Sequence, residues 1–462
     1  MPYLLNLFYL LLLVAASPWL LWQAVRKGKY REGYAAKFLG LVPRRTSAGS
    51  GKKCVWLHAV SVGEVNLLAP LLKEIERQRP DWECVVSTTT MTGYALARKK
   101  YAPRTVFYCP LDFSWAVNTA MRRVRPDLLV LAELELWPNL IRAARRHGAR
   151  VAVVNGRLSE SSFRGYRRVR WLASRLLRKI DVFAVQDETY AERFRALGAR
   201  PEAVRVTGSM KYDGARTDRD NPETRRLAAL AGFAPDDVVF LAGSTQEPEE
   251  AAALEVFRRL KDDWPALRLV IVPRHPDRFD AVARLIDESG LPWMRRSELG
   301  GKRGRDSFAG TARRVLRTRE SRPLFPADAR VLLVDAVGEL GAWWGTAQIA
   351  FVGGSLGNRG GQNMIEPAAY GAAVSFGPNT RNFRDVVSAM LDHNAAVVVH
   401  HPDDLTAFVR RCLEDPTFTA ALGRRAHDLV QSQLGATERT LALLAALVAS
   451  RQSHRPPNRA AA

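Results

Sequence analysis

Three carboxylates and a lysine stand where apolar runs of this 462-residue chain come to an end. The segment HAVSVGEVN (58–66) closes one such run, turns at Gly63 and opens a helix, so Glu64 falls at or near a helix N-terminus. The helix dipole favours a carboxylate there, which leaves a capping role open to it. The catalytic alternative is a general base at the carboxyl edge of a sheet. The dipole would lower the pKa of that base and weaken it unless burial or a neighbouring carboxylate offsets the effect. LAELELWPN (131–139) ends a second run with Glu133 and Glu135. Two carboxylates there are costly unless they face a polar site or find partners. Two residues apart on a strand, they share a face and can point into one site. GSMKYD (208–213) supplies Lys211, which can pair with Glu133 or with an anionic substrate, or can be a plain surface lysine.

A second set lies further along. In VPRHPDRF (272–279), Arg274 follows a strand of buried character, where a guanidinium suits a phosphate gripped by two hydrogen bonds. His275 beside it reads as a polar neighbour, with no ligand set for a metal around it. VGEL (337–340) precedes FVGGSLGNRGGQNMIEPAAYG (351–371). Glycines 353, 354, 360 and 361 let backbone amides approach a ligand. Asn363 then opens a helix whose free N–H groups can hold a phosphate, and Glu366, one turn in, suits ribose hydroxyls. Neither GxGxxG nor the Walker-A pattern occurs, which argues against a dinucleotide dehydrogenase and a P-loop NTPase.

The elements that carry these residues alternate regularly. CVWLHAV, ECVVSTTT, TVFYCPL, DLLVLAEL, VAVVNG and DVFAVQ read as strands, with helices between them. A break follows Lys211-Tyr212-Asp213. The pattern restarts at VVFLAGS and continues through LRLVIVPR, ARVLLVD, IAFVGGS and AAVSFGP. Such alternation predicts two α/β units, each a parallel sheet covered on both faces, with ligands beyond the carboxyl ends of the strands and a cleft between the units. The expected boundaries are a front domain over 54–213, a linker over 214–236, a rear domain over 237–430, a C-terminal helix over 431–451 crossing back, and a disordered tail over 452–462.

The first 25 residues form a separate element. Residues 3–23 (YLLNLFYLLLLVAASPWLLWQ) carry no charge, are about long enough to span a bilayer and hold Trp19 and Trp22 near one end. A basic flank over 26–53 follows, with Arg26, Lys27, Lys29, Arg31 and Lys37, and runs into a linker over 40–53. The expectation is a membrane anchor with the enzyme on the cytoplasmic side. Pro18 leaves open a helix that dips into one leaflet. Charges that follow the apolar run, rather than precede it, argue against a signal peptide. The net charge of +22 points to an anionic partner. Part of that charge lies in an Arg-rich stretch over 295–325, readable as a solvated loop or as a headgroup contact. Cys54, Cys84, Cys109 and Cys412 form no CxxC pair and read as buried free thiols.

Taken together, SVGE, ELELWPN, GSMKYD, PRHPDRF, VGEL and FVGGSLGNRGGQNMIEPAAYG, in that order over nearly the whole chain, resemble the 3-deoxy-D-manno-octulosonic acid (Kdo) transferases of lipopolysaccharide synthesis. The resemblance implies a GT-B fold of two Rossmann-like domains. It implies CMP-Kdo as donor, a lipid A precursor of the lipid IVA kind as acceptor, no cofactor or metal, and inversion at the anomeric carbon. It implies a place at the cytoplasmic face of the inner membrane, against anionic headgroups. By motif, Glu64 matches the family's general base, and Glu133 and Lys211 match residues that support the transition state. Pro273, Arg274, Val337, Gly338, Glu339, Asn363, Met364, Ile365 and Glu366 match the CMP-binding positions. Gln362 stands where the family pattern usually has His. The rivals are a UDP-dependent transferase of similar build and a membrane-tethered nucleic-acid-binding protein. The second would need aromatics interleaved with its basic clusters, which are absent, so no nucleic-acid partner is expected.

Overall fold

The computed structural model describes residues 2–27, 32–45, 51–299 and 329–450. Residues 300–325 of the Arg-rich stretch, Lys29 and Arg31 of the basic flank, part of the 40–53 linker and the tail beyond 452 lie outside the described residues. The chain falls into two compact units, Met1–Asp213 with Gln433–Ala462, and Gly214–Ser432.

In the first unit the apolar runs become β1 (Lys53–His58), β2 (Trp82–Thr88), β3 (Val106–Tyr108), β4 (Leu128–Ala132), β5 (Arg150–Gly156), β6 (Val182–Val185) and β7 (Val204–Val206). They form a parallel sheet in the order β3-β2-β1-β4-β5-β6-β7. Both faces are covered, so nearly every strand position is buried and the strands are continuously apolar rather than alternating. One face packs Leu68, Leu71, Leu72 and Ile75 of helix Val62–Gln78 together with Leu441, Leu444 and Val448 of helix Ala436–Ser450. The last helix of the chain therefore completes the core of the first unit. Asp213 holds its start, accepting a hydrogen bond from the Gly435 N–H at 2.8 Å.

The second unit repeats the plan with β8 (Val238–Thr245), β9 (Leu267–Pro273), β10 (Trp293–Arg295), β11 (Val331–Leu333), β12 (Ile349–Val352), β13 (Ala373–Phe376) and β14 (Ala396–Val398). The order is β10-β11-β9-β8-β12-β13-β14, again parallel. Residues 214–236, expected as a linker, belong to this unit and contain helix Pro222–Leu230, capped by Asn221 through the N–H groups of Glu223 and Thr224.

Each sheet reverses its winding once among the described strands, between β1 and β4 in the first and between β8 and β12 in the second. At such switch points the loops leaving adjacent strands diverge to opposite faces and leave a crevice at the carboxyl edge. His58 at the end of β1 pairs in register with Leu131 of β4, so the loops bearing Glu64 and Glu133 leave the sheet side by side.

The N-terminal apolar run forms helix Pro2–Lys27. Among the described residues, no helix is long and apolar enough to cross a membrane, so the expected span over 3–23 is not supported. Asn6, Tyr9, Ser17, Pro18 and Gln23 interrupt the run. Two of these tie the helix to the first unit. The Asn6 side-chain N–H donates to Ser114 Oγ at 2.7 Å, and the Tyr9 hydroxyl donates to Asp112 Oδ2 at 3.0 Å. Asp112 also accepts the N–H groups of Asn139 and Leu140, at the start of helix Pro138–Arg146. Leu7, Leu11, Val14 and Leu21 remain exposed.

Candidate active site

Glu64 sits in the first turn of helix Val62–Gln78, three residues after the N-cap Ser61. This is the spacing of a capping box. Its Oε2 accepts the Val60 N–H at 2.8 Å and its Oε1 accepts the Ser61 hydroxyl at 2.9 Å. The side chain is thus fixed at the switch point. Burial pushes its pKa up, the Val60 and Ser61 hydrogen bonds oppose that, and the Glu133 charge adds to it. Burial outweighs the two hydrogen bonds.

Glu133 and Glu135 do reach one site with Glu64, though not by strand alternation. β4 ends at Ala132, and Glu133 turns the chain with φ of +55°, a left-handed conformation rarely adopted by a residue with a side chain. Glu133 Oε2 pairs with Arg157 Nε at 2.7 Å, and its Oε1 lies 3.5 Å from Lys211 Nζ. Glu135 accepts the Trp137 indole N–H at 3.0 Å. Burial, then the Glu64 charge, pushes the Glu135 pKa up to about 7. Lys211 is carried by a loop whose Met210 N–H donates to Asn155 Oδ1 at 2.9 Å. His58, fully buried beneath the site, is held neutral by burial, with its pKa pushed down to about 4.

Arg157 and Asn155 were not foreseen. Arg157 lies just past the carboxyl end of β5, the position that singled out Arg274 after β9. The same reasoning applied to VAVVNGR would have found it.

In the second unit, Pro273 ends β9, and the Arg274 backbone N–H donates to the Thr245 carbonyl at 3.0 Å. The Arg274 side chain is exposed, and its charge lowers the pKa of Glu366 while burial raises it, burial being the larger effect. His275, Gln246, Arg278 and Arg359 line a polar cavity of about 740 Å³. At Gly353 a Cβ would lie 2.6 Å from both the Ser244 carbonyl oxygen and Thr245 Cα, so only glycine lets the loop after β12 run against β8. Gly354 has φ of +67°, and Gln362 packs against it.

One residue organises this loop, and sequence reasoning passed over it. Glu249, 1% exposed, accepts four backbone N–H groups: Gln246 at 2.9 Å, Gly354 at 2.7 Å, Ser355 at 2.8 Å and Leu356 at 2.9 Å. Its two oxygens hold the loops after β8 and β12 together at the switch point.

Two expectations change in form. Asn363 does stand before a helix, but that helix, Ile365–Ala369, is a single turn. Asn363 Oδ1 takes the Ile365 N–H at 3.2 Å, and its side-chain N–H donates to Glu366 Oε1 at 2.9 Å. A single turn has little dipole, so the exposed Arg274 guanidinium is the stronger source of positive charge here. Met364 and Ile365 are buried in the core and can offer a ligand only backbone. Val337 is exposed and Gly338 has φ of +93°. The Glu339 carboxylate is taken up by Arg296, at 2.7 and 2.8 Å.

The family profile described as "3-Deoxy-D-manno-octulosonic-acid transferase (kdotransferase)" matches residues 34–214. A 3-deoxy-D-manno-octulosonic acid transferase of Bordetella pertussis is 32% identical over 92% of this chain and 94% of its own length. A bifunctional glycosyltransferase/methyltransferase of Fusobacterium nucleatum is 34% identical over 76% of this chain, which spans about half (51%) of that protein. The UDP-GlcNAc 2-epimerase of Neisseria meningitidis, solved with UDP-GlcNAc, is similar in fold alone, with a TM-score of 0.52 at 11% identity over 85% of this chain and 100% of the other. With a relative of that identity matched along almost its entire length, the chain belongs to the 3-deoxy-D-manno-octulosonic acid transferases, a family of glycosyltransferases.

Proposed function

We propose that the chain transfers Kdo from CMP-Kdo to a sugar hydroxyl of a phosphorylated, acylated glucosamine lipid of the lipid IVA kind, with inversion and without a metal. The observation that carries the reading is the fixed, half-buried Glu64 carboxylate beside Glu133 and Glu135 at the switch point of the first sheet. Its pKa is raised by burial, which strengthens it as a base.

In this mechanism Glu64 takes the proton of the acceptor hydroxyl as that oxygen bonds to the anomeric carbon. The bond from that carbon to the phosphate oxygen breaks, and CMP leaves with the electron pair. Attack opposite the leaving group inverts the centre. Glu133, paired with Arg157 and Lys211, fixes the surrounding charges. Arg274 balances charge on the departing phosphate, with backbone amides of the glycine loop set by Glu249. Pro273 and the Val337–Gly338–Glu339 turn shape the base and ribose end of the donor site. The segment from Asn363 to Glu366 completes it, with Glu366 on the ribose. The exposed apolar side of helix Pro2–Lys27 and the basic surface seat the enzyme on the cytoplasmic face of the inner membrane.

The test is to incubate the purified chain with CMP-Kdo and a tetraacyl glucosamine disaccharide bisphosphate in the presence of EDTA, and to weigh the product. A mass gain of one or more Kdo residues, inhibited by CMP and not by UDP, is expected. Transfer that EDTA abolishes would sink the metal-free mechanism, and preferential inhibition by UDP would sink the donor assignment.

A further inference from the structure

The chain after Glu133 and Glu135 also lines an apolar opening. Leu136 and Pro138, which follow Glu135, form one wall of an apolar slot of about 340 Å³ in the first unit. The N-terminal helix supplies Leu4 and Phe8, and the stretch through helices Glu160–Arg168 and Arg170–Leu177 supplies Trp171 and Leu172. Phe8, Trp171 and Leu172 are exposed large apolar groups, which a soluble surface rarely gathers around an opening. Arg142 lines the same slot. Every charged residue between positions 161 and 180 is basic. Tyr166, also in the lining, feels the charge of Glu135, so the slot adjoins the carboxylate site.

We infer that this slot receives one acyl chain of the acceptor, with the acceptor's phosphate against the surrounding basic side chains. This rests on the reading that the acceptor is an acylated, phosphorylated glucosamine. An apolar interior with Arg142 in its lining and Arg175 over the Trp171 ring complements an anionic amphiphile, hydrocarbon inside and phosphate against the guanidinium groups. Apart from Arg142 and Tyr166 the lining is largely apolar, which suits hydrocarbon better than a sugar or nucleotide. The polar anchors Asn6 and Tyr9 acquire a purpose here: they hold the N-terminal helix in place as the slot's second wall. Seating the chain beside Leu136 would bring the headgroup hydroxyl toward the glutamates that follow β4, so acyl recognition positions the nucleophile.

The test compares acylated and fully deacylated glucosamine disaccharide bisphosphate as acceptors for the wild type and for Leu172→Gln and Val169→Gln, Val169 belonging to the same lining. Both positions are exposed, so the fold tolerates the change. Each methylene withdrawn from the slot weakens binding about fourfold. The variants should therefore raise KM for the acylated acceptor tenfold or more, leaving its kcat and the KM of the deacylated acceptor unchanged. A filling variant, Ala173→Phe, should do the same more strongly. Equal changes for both acceptors, or none for either, overturn the inference. So does an unchanged KM with weakened sedimentation on phospholipid vesicles, which would make the patch a bilayer contact. If the wild type transfers to neither acceptor, the transferase reading fails by itself, and binding still tests the slot. A glucosamine phosphate with a dibrominated acyl chain should quench fluorescence in the wild type and less in Trp171→Phe; equal quenching overturns the inference.

Discussion

Replacing Glu64 by Gln separates the two roles that its position allows. As a cap, the side chain accepts two hydrogen bonds, from the Val60 N–H and the Ser61 hydroxyl. The amide of the variant keeps one acceptor oxygen for Val60, and the Ser61 hydroxyl can rotate to accept from its N–H. The loss is then the difference between charged and neutral hydrogen bonds, about 1 kcal/mol. Removing a buried carboxylate that burial and Glu133 already disfavour offsets part of it. For a unit of this size, a change of about 1 kcal/mol corresponds to roughly 2–4 °C in melting temperature. As a base, the carboxylate is irreplaceable by an amide, and general base catalysis contributes typically about 10²–10⁴-fold. Glu64→Gln should therefore lower kcat by about 10²–10⁴ while melting within roughly 4 °C of the wild type, with the CMP-Kdo KM unchanged. The assay is initial-rate transfer at saturating acceptor, paired with calorimetry of the same preparation. A variant that melts normally and turns over within a few-fold of wild type would leave Glu64 as a cap alone.

The Glu135 pKa of about 7, against an ordinary value of 4.5, carries a stability prediction. A carboxyl group whose pKa is raised on folding favours the folded state below its unfolded pKa, and that contribution is lost as pH rises through the folded value. Glu135→Gln should therefore raise the melting temperature at pH 8 and leave it unchanged at pH 4; an equal shift at both would show that no titration is involved. Arg157 holds the Glu64 pKa down and pairs with Glu133. Arg157→Gln should move the acid limb of kcat/KM to higher pH, and a limb that stays or moves down would mean that Glu64 does not set it. Glu249→Ala strips four backbone N–H groups of their acceptor, so the second unit should lose about 3 kcal/mol or more and CMP-Kdo should bind at least tenfold more weakly; a stable variant with normal donor affinity would refute the organising role.

The fold was legible because a parallel sheet buried on both faces writes itself as uninterrupted apolar runs. CVWLHAV, DLLVLAEL, VVFLAGS and IAFVGGS correspond to β1, β4, β8 and β12, and residues at their carboxyl ends were marked without coordinates. The three-residue edge strands β10 and β14 were not singled out, being too short for a periodic signal and only partly buried. The N-terminal helix misled for a related reason. Hydropathy counts Asn6 and Tyr9 as small defects in an apolar stretch, whereas geometry makes them the points where the helix is bonded to the unit beneath it.

Glu249 and Asn155, which escaped the sequence, share one property: they act through backbone groups far along the chain. Glu249 occupies the first turn of helix Glu249–Leu260, where a carboxylate needs no special explanation, and its partners at 354–356 lie more than a hundred positions away. No local pattern encodes that pairing; only the order β8-β12 brings the loops together. Asn155 and Met210 are joined in the same way across β5 and β7. Residues whose own chemistry faces the substrate can be read from type and position. Those that hold the substrate-facing loops depend on strand order, which has to be known first. It follows that substitutions at Glu249 or Asn155 should disturb the donor site or the Lys211 loop while every motif residue remains intact.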